Sequence, residues 1–290
     1  MKAYLVDAFT ENRFEGNSAG VVLEGQRYSA TDKQKIAAEI KASETAFISK
    51  SNVADWLVEF FTPTAPIDFC GHATVATFYI LAKEGLLTFQ DGVAHSSEET
   101  KAGTIPMVVR KANDGKISIE MTQRKLQSAD LESTAEELAL ALKIDVAQLD
   151  TRYPIAKSNT GNWHAMIGVN SRDVLNSIEY DAGLLSQILI RAGCVTAHVF
   201  SADAANSMTY HARNFCPHIG IPEDPATGSA AGAFIGYLAA HKLLEGDSIV
   251  ILQGEQMGRP SKIFASFDPE KQQPVVRGHA VASFVLVDPG

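Results

Sequence analysis

No stretch of this chain stays apolar long enough to cross a membrane as a helix. Its longest apolar runs, Ala73–Ala82 and Ala230–Ala240, are about half of the roughly 20 residues a span requires. Cysteine is scarce. Cys70, Cys194 and Cys216 are three and unpatterned, which argues against a disulfide framework and fits reduced thiols. Positive charge is in the minority, with 25 Lys and Arg against 34 Asp and Glu and a net charge of -9. That balance argues against a polyanionic partner such as nucleic acid. The opening MKAYLVDAFTENRFEGN sets Asp7 and Glu11 where a signal peptide needs an apolar core, so a cytoplasmic protein is expected. There is no phosphate-binding P-loop, no Gly-x-Gly-x-x-Gly fingerprint and no Gly-x-Ser-x-Gly elbow. What remains is a globular chain of 290 residues, 46% hydrophobic, enough for one large core or two ordinary ones.

The chain repeats itself. Residues 71–87 align without gaps on residues 228–244, at an offset of 157, and seven of the seventeen positions match. Upstream of each segment stands a Phe-x-Pro, Phe61-Thr62-Pro63 and Phe215-Cys216-Pro217. Further upstream a Gly-Asn precedes an apolar run, Gly16-Asn17 before AGVVL and Gly161-Asn162 before WHAMIGV. Three landmarks in the same order argue for two halves of one fold.

Each half reads as strands, a central helix and more strands. KAYLVDAF, AGVVL, TAFIS, DWLVEFF, TIPMVVRK and KISIEM have strand length and composition, and Asn113-Asp114-Gly115 is a hairpin turn. The second half offers WHAMIGV, TAHVFS, SMTYHAR, SIVILQGE and SKIFASF, with AVASFVLV after them. Residues 71–84 and 228–243 are apolar nearly all round, so both helices are predicted to be buried. A curved sheet around each is the simplest architecture. Amphipathic helices are expected outside, over 32–41, 133–143 and 181–192, the second opened by a Ser133–Glu136 capping box. A boundary is expected near 115–120.

The two helix starts hold the candidate chemistry. In PEDPATGSAAG, prolines stiffen the approach, Thr227 and Ser229 can cap, and Gly228 admits a ligand to the backbone. Free first-turn N–H groups and the helix dipole suit a carboxylate or phosphate. The plainer reading is an N-cap with Asp224 favouring the dipole. In DFCGHAT, Gly71 and Ala73 flank His72, which titrates near neutrality and can polarise or transfer a proton. Its place at the tip of a repeated helix favours a functional role over a solitary structural His. Glu44, in ASETAFI, enters an apolar strand, and partial burial there would raise its pKa toward a useful range. From that stretch alone, an exposed Glu closing the preceding helix is the simpler reading. Zinc on Cys70, His72, Cys216 and His218 is disfavoured by the one-residue spacing within each pair, so no metal is expected. A two-thiol mechanism is disfavoured because Thr227 stands where a second Cys would match Cys70.

DAFTENRFEGNSAGVVL, SETAFI, FTPTAPIDFCGHAT, FCPHIGIPEDPATGSA and GEQMGRPSKI together resemble the signature blocks of the phenazine-biosynthesis (PhzF-like) isomerases, over residues 7 to about 263. The resemblance implies an α+β, duplicated two-domain diaminopimelate epimerase-like fold, each domain a β-barrel around a central helix with the site between them. It implies domains over 1–117 and 118–276, with 277–290 returning to the first. It makes Glu44 the acid/base that moves a proton between carbons of a small carboxylic acid. His72 and Asp224 would bind and polarise the substrate, and Gly71, Ala73, Thr227, Gly228 and Ser229 would line the helix tips that hold it. It also implies a homodimer and no cofactor. Two alternatives remain open: a Cys70-dependent epimerase or racemase, and a non-catalytic small-carboxylate-binding protein.

Overall fold

The computed structural model describes residues 2–287. Position 1 and positions 288–290 of the expected domain spans lie outside the described residues. The chain divides into two compact units, Met1–Thr122 with Arg277–Gly290, and Gln123–Val276.

The first unit runs β1 (Lys2–Ala8), β2 (Asn17–Val22), α1 (Ala30–Ile40), β3 (Glu44–Lys50), β4 (Trp56–Phe61), β5 (Pro66–Ile67), α2 (Gly71–Lys83), β6 (Val93–Thr100), β7 (Gly103–Lys111) and β8 (Ile117–Thr122). The second runs β9 (Gln127–Asp130), α3 (Ala135–Leu142), β10 (Ala156–Asn159), β11 (Trp163–Gly168), α4 (Arg172–Ser177), α5 (Ala182–Ala192), β12 (Thr196–Ala202), β13 (Thr209–Cys216), β14 (Ile221–Asp224), α6 (Gly228–Ala240), β15 (Ser248–Gln253) and β16 (Ser261–Asp268). The last strand, β17 (Gln273–Val287), begins in the second unit and ends in the first.

In the first unit, β1–β2, β3–β4, β6–β7 and β7–β8 pair antiparallel, and β2–β3 and β4–β6 parallel. β17 pairs with both β8 and β1, which closes an eight-stranded barrel. The second unit repeats the same order of pairings: β10–β11 antiparallel, β11–β12 parallel, β12–β13 antiparallel, β13–β15 parallel and β15–β16 antiparallel.

α2 and α6 are each 13 residues long, each starts at the Gly of the sequence repeat, and each is buried along most of its length. A barrel interior offers no water, so a helix there has no polar face. Small residues let strands come close. At Gly236 an added Cβ would lie 2.5 Å from Leu126 Cδ1. α6 ends at Ala240, earlier than the expected residue 243, because Lys242 takes a left-handed φ of 59° that a continuing helix cannot hold.

The outer helices pack amphipathically. Leu138, Leu142, Leu185, Ile188 and Leu189 join the sheet residues Ile167, Val199 and Phe215 in one core. Each outer helix is capped: Ser29, Thr134, Ser171 and Asp181 accept a first-turn backbone N–H. The expected Ser133–Glu136 capping box is corrected by one residue. Thr134 is the cap, accepting from the Glu137 N–H, while Ser133 Oγ donates to the Glu137 carboxylate. The central helices differ. Neither Cys70 before α2 nor Thr227 before α6 makes a side-chain cap hydrogen bond.

Candidate active site

The first unit assembles a site at the start of α2. Glu44 is the first residue of β3, paired in register with Ala19 of β2. His72 is the second residue of α2. The fold brings Glu44 Oε2 to 3.0 Å from His72 Nε2. Apart from that ion-pair contact, the oxygen has no partner. Both side chains are buried, so the exposed-Glu reading of residue 44 is set aside.

Three residues hold the His72 ring: Cys70, which the sequence raised as a candidate thiol, and Ser43 and Asn17, which it did not single out for a role. Ser43 Oγ lies 3.1 Å from Nε2, Asn17 Nδ2 lies 3.2 Å from Nδ1, and Cys70 Sγ lies 3.4 Å from Nδ1. Asn17 was within reach of sequence reasoning, since Gly16-Asn17 is one of the repeat landmarks. Gly16 has φ 63°, and a Cβ there would lie 2.2 Å from the Ala8 carbonyl oxygen. Only glycine makes that turn, and the turn delivers Asn17.

Electrostatics make Glu44 and His72 an ion pair. Burial works against the Glu44 carboxylate, but the facing imidazolium and neighbouring hydrogen bonds outweigh it and hold the carboxyl below its ordinary range. The expectation that burial raises the Glu44 pKa is therefore corrected: the His72 charge decides the sign. Burial likewise favours a neutral His72, and the flanking Cys70 sulfur and Glu44 carboxylate push the ring well above its usual value. Burial pushes the Cys70 thiol up to about 11, which is the opposite of a reactive thiolate. Gly71 and the fully buried Ala73 complete the first turn.

The second unit builds the start of α6 differently. Asp224 ends β14 and accepts a hydrogen bond from Thr227 Oγ1. Thr227 therefore does not cap α6, contrary to its expected role. Gln253, at the end of β15, donates to the Asp224 carbonyl at 2.7 Å and to Thr227 Oγ1 at 3.1 Å. Ser261 Oγ donates to the Pro225 carbonyl at 2.7 Å. Glu223 is taken by Arg213 through two hydrogen bonds, at 2.9 and 2.8 Å. The loop is thus fixed from behind, and it leaves Gly228 and Ser229 to open the helix.

The sequence matches the family described as "Phenazine biosynthesis-like protein" over residues 6–285. The chain belongs to that family. An isomerase of Clostridium acetobutylicum is 37% identical, the alignment covering 97% of this chain and 95% of that one. The trans-2,3-dihydro-3-hydroxyanthranilate isomerase of Pseudomonas chlororaphis is 32% identical, over 93% and 91% of the two chains. Among solved structures, a PhzF-family phenazine biosynthesis protein of Bacillus anthracis superposes with a TM-score of 0.88 at 30% identity, covering 99% of each chain. A hydroxyproline epimerase of Agrobacterium vitis is similar in fold alone, with a TM-score of 0.67 at 13% identity. The chain is therefore an isomerase-type enzyme with the α+β diaminopimelate epimerase-like fold that the PhzF resemblance implied. In this PhzF-family chain, the CGHAT and SET blocks meet in one unit and the EDPATGS block forms the helix start of the other.

Proposed function

We propose that this protein is a cofactor-independent isomerase that moves a proton between carbons of a small carboxylic acid, with Glu44 as the acid/base. The observation that carries the reading is the buried Glu44–His72 ion pair beside the side-chain-uncapped start of α2. An ionised carboxylate held in place by the facing imidazolium can serve as the base. It takes a C–H proton next to a carbonyl or conjugated system, the electron pair moves into that system, and the protonated Glu44 returns the proton to another carbon. Charge developing on the substrate is met by the His72 imidazolium and by first-turn N–H groups. A positioned acid/base of this kind contributes about 10²–10⁴-fold.

An anionic substrate suits two helix starts that no side chain caps. Asp224, Thr227, Gly228 and Ser229 are assigned to substrate binding on the resemblance and on the rigidity of their loop. A homodimer is part of the reading on the resemblance alone, and light scattering tests it. The Cys70-dependent alternative loses ground because burial holds that thiol protonated.

Deuterium wash-in followed by NMR tests the function. The protein is incubated in heavy water with a panel of cyclic and α-substituted carboxylic acids that includes trans-2,3-dihydro-3-hydroxyanthranilate, the acid named for the Pseudomonas relative. Exchange in the wild type and its loss in Glu44→Gln is the expected outcome. Full exchange in Glu44→Gln would sink the assignment of the base. An Asp224→Asn protein with unchanged exchange would confine the chemistry to the first unit.

A further inference from the structure

The first unit has a cavity of about 470 Å³ at the other end of α2 from His72, lined by the last turn of that helix, the β7–β8 hairpin and β17. Its volume is that of a small-molecule site, and the rise of the helix sets its Lys83 roughly 16 Å along the axis from His72. The chain has a net charge of -9, yet the charged residues that line this cavity are Lys83, Lys111, Lys116 and His279 against Glu11 alone. Glu11 is already engaged. Lys116 Nζ donates to its Oε2 at 2.7 Å, and His279 Nε2 lies 3.6 Å from its Oε1. His279 Nδ1 donates to the Ile117 carbonyl at 3.0 Å, which fixes that ring against β8. Among the described residues, Lys83 and Lys111 form no ion pair, and Glu84, next to Lys83, is taken by Lys2. The carbonyls that end α2 do not face an anion unmet: those of Ile80, Leu81 and Ala82 accept from the Glu84, Leu86 and Gly85 N–H groups. The wall also has an apolar part. Ala82 and Ala280 are each 7% exposed, and the half-buried Tyr79 adds a ring whose centroid lies 5.9 Å from Lys83 Nζ.

We propose that this cavity is a second binding site, for a phosphate monoester with a small apolar or aromatic body, held by Lys83 and Lys111. Lysine ammonium groups are compact point charges that suit phosphate, and no arginine, whose planar fork matches a carboxylate, lines the cavity. A phosphate monoester carries a charge of about -1.5 to -2 at pH 7, which two lysines without carboxylate partners balance. The flexible lysine stems bring both ammonium groups to the phosphate, and the body of the ligand covers Ala82, Ala280 and the Tyr79 ring. The site is independent of Glu44 and of any reaction at the start of α2.

Phenyl phosphate titrated into the full-length protein, followed by calorimetry and by amide NMR shifts, tests the proposal. The expected result is a dissociation constant of about 1 mM or tighter, with shifts concentrated at Lys83, Lys111, Lys116 and Ala280. Binding should weaken as ionic strength rises from about 0.01 M to about 0.15 M. The double variant Lys83→Met, Lys111→Met should bind at least about 10-fold more weakly, while Lys35→Met, which removes an exposed lysine of α1, should bind as the wild type does. Thermal melts establish that each variant is folded. Inorganic phosphate should bind at least about 3-fold more weakly than phenyl phosphate, and benzoate at least about 10-fold more weakly. Binding weaker than about 1 mM, or an affinity unchanged in the folded double variant, overturns the site. Shifts confined to the starts of α2 and α6 place the probe at the candidate active site and overturn it equally. Benzoate bound as tightly as phenyl phosphate overturns the phosphate class, and inorganic phosphate bound as tightly overturns the apolar body.

Discussion

Mild acid should weaken the second unit before its carboxylates begin to titrate. His164 on β11 and His198 on β12 are 1% and 0% exposed. His164 Nδ1 has Thr196 Oγ1 at 2.8 Å, but its Nε2 has no partner, and neither ring nitrogen of His198 has one. Burial pushes His164 down to about 3, with the neighbouring His198 adding to the shift, and pushes His198 down to about 4. Both pKa values are depressed, so the folded state holds neutral rings. Below pH 6.5 the unfolded chain takes up protons that the folded chain refuses, and stability falls as pH falls. Each pH unit is worth about 1.4 kcal/mol per ring. At pH 5 the two rings together cost at most about 4 kcal/mol relative to pH 7, a large part of the roughly 5–15 kcal/mol a domain commands. His72, whose pKa is raised, keeps its contribution below 6.5 and does not mask the fall. Urea unfolding at pH 7 and pH 5 measures the drop. His198→Leu should halve it, to about 2 kcal/mol, and should cost little at pH 7 because it deletes two unpartnered polar atoms. A drop that is absent in the wild type, or unchanged in His198→Leu, would refute the argument.

The other predictions bear on the site and its frame. The pH–rate profile on any exchanging substrate should be broad: activity falls on the acid side only below the ordinary carboxylate range, where Glu44 protonates, and on the alkaline side well above 6.5, where His72 loses its proton. A bell centred on 6.5 would contradict the ion pair. With its thiol at about 11, Cys70 should react with iodoacetamide about 100-fold more slowly than an ordinary thiol at pH 7.5, as read by mass spectrometry of the peptide. Gly16→Ala meets both a left-handed φ and the Ala8 carbonyl, so it should lose about 2 kcal/mol or more in a thermal melt and lose exchange activity as Asn17 shifts. Arg213→Ala leaves Glu223 buried and unpaired, the two side chains being 12% and 13% exposed. It should destabilise the fold by about 3–5 kcal/mol, partly recovered in the double variant with Glu223→Ala.

What the sequence made legible follows from local physics. The central helices announce themselves because a helix without a polar face can only be buried, and the repeat fixes their common start at Gly71 and Gly228. β6, β9 and β10 carry VAHSSEET, QSAD and AKSN, which have too few apolar residues for a strand pattern. Pairing with neighbouring strands makes them strands. Burial of Glu44 is equally non-local. It sits at the mouth of a strand whose neighbour α2 carries His72, and no spacing within ASETAFI encodes that approach. The sign of its pKa shift depends on the same contact. Of the two acids in PEDPATG, the chain alone cannot say that Glu223 belongs to Arg213, because Arg213 lies on another strand, β13.

The repeat breaks at the start of β3, where Glu44 stands. Glu44 opens β3 and pairs in register with Ala19 of β2, while Thr196 opens β12 and pairs with His164 of β11. These are the corresponding strands of the two units. Thr196 donates its hydroxyl to Asn214 Oδ1 at 2.9 Å and packs among buried neutral rings, so it offers no base. Likewise Cys70 precedes α2 where Thr227 precedes α6, and Thr227 is engaged with Asp224. A two-base inversion of a carbon centre needs a proton acceptor from each repeat. A shift that removes a proton and returns it elsewhere needs one group that acts twice. A carboxylate in only one of the two equivalent strand starts is in keeping with the proposed reading, in which Glu44 is one group that acts twice.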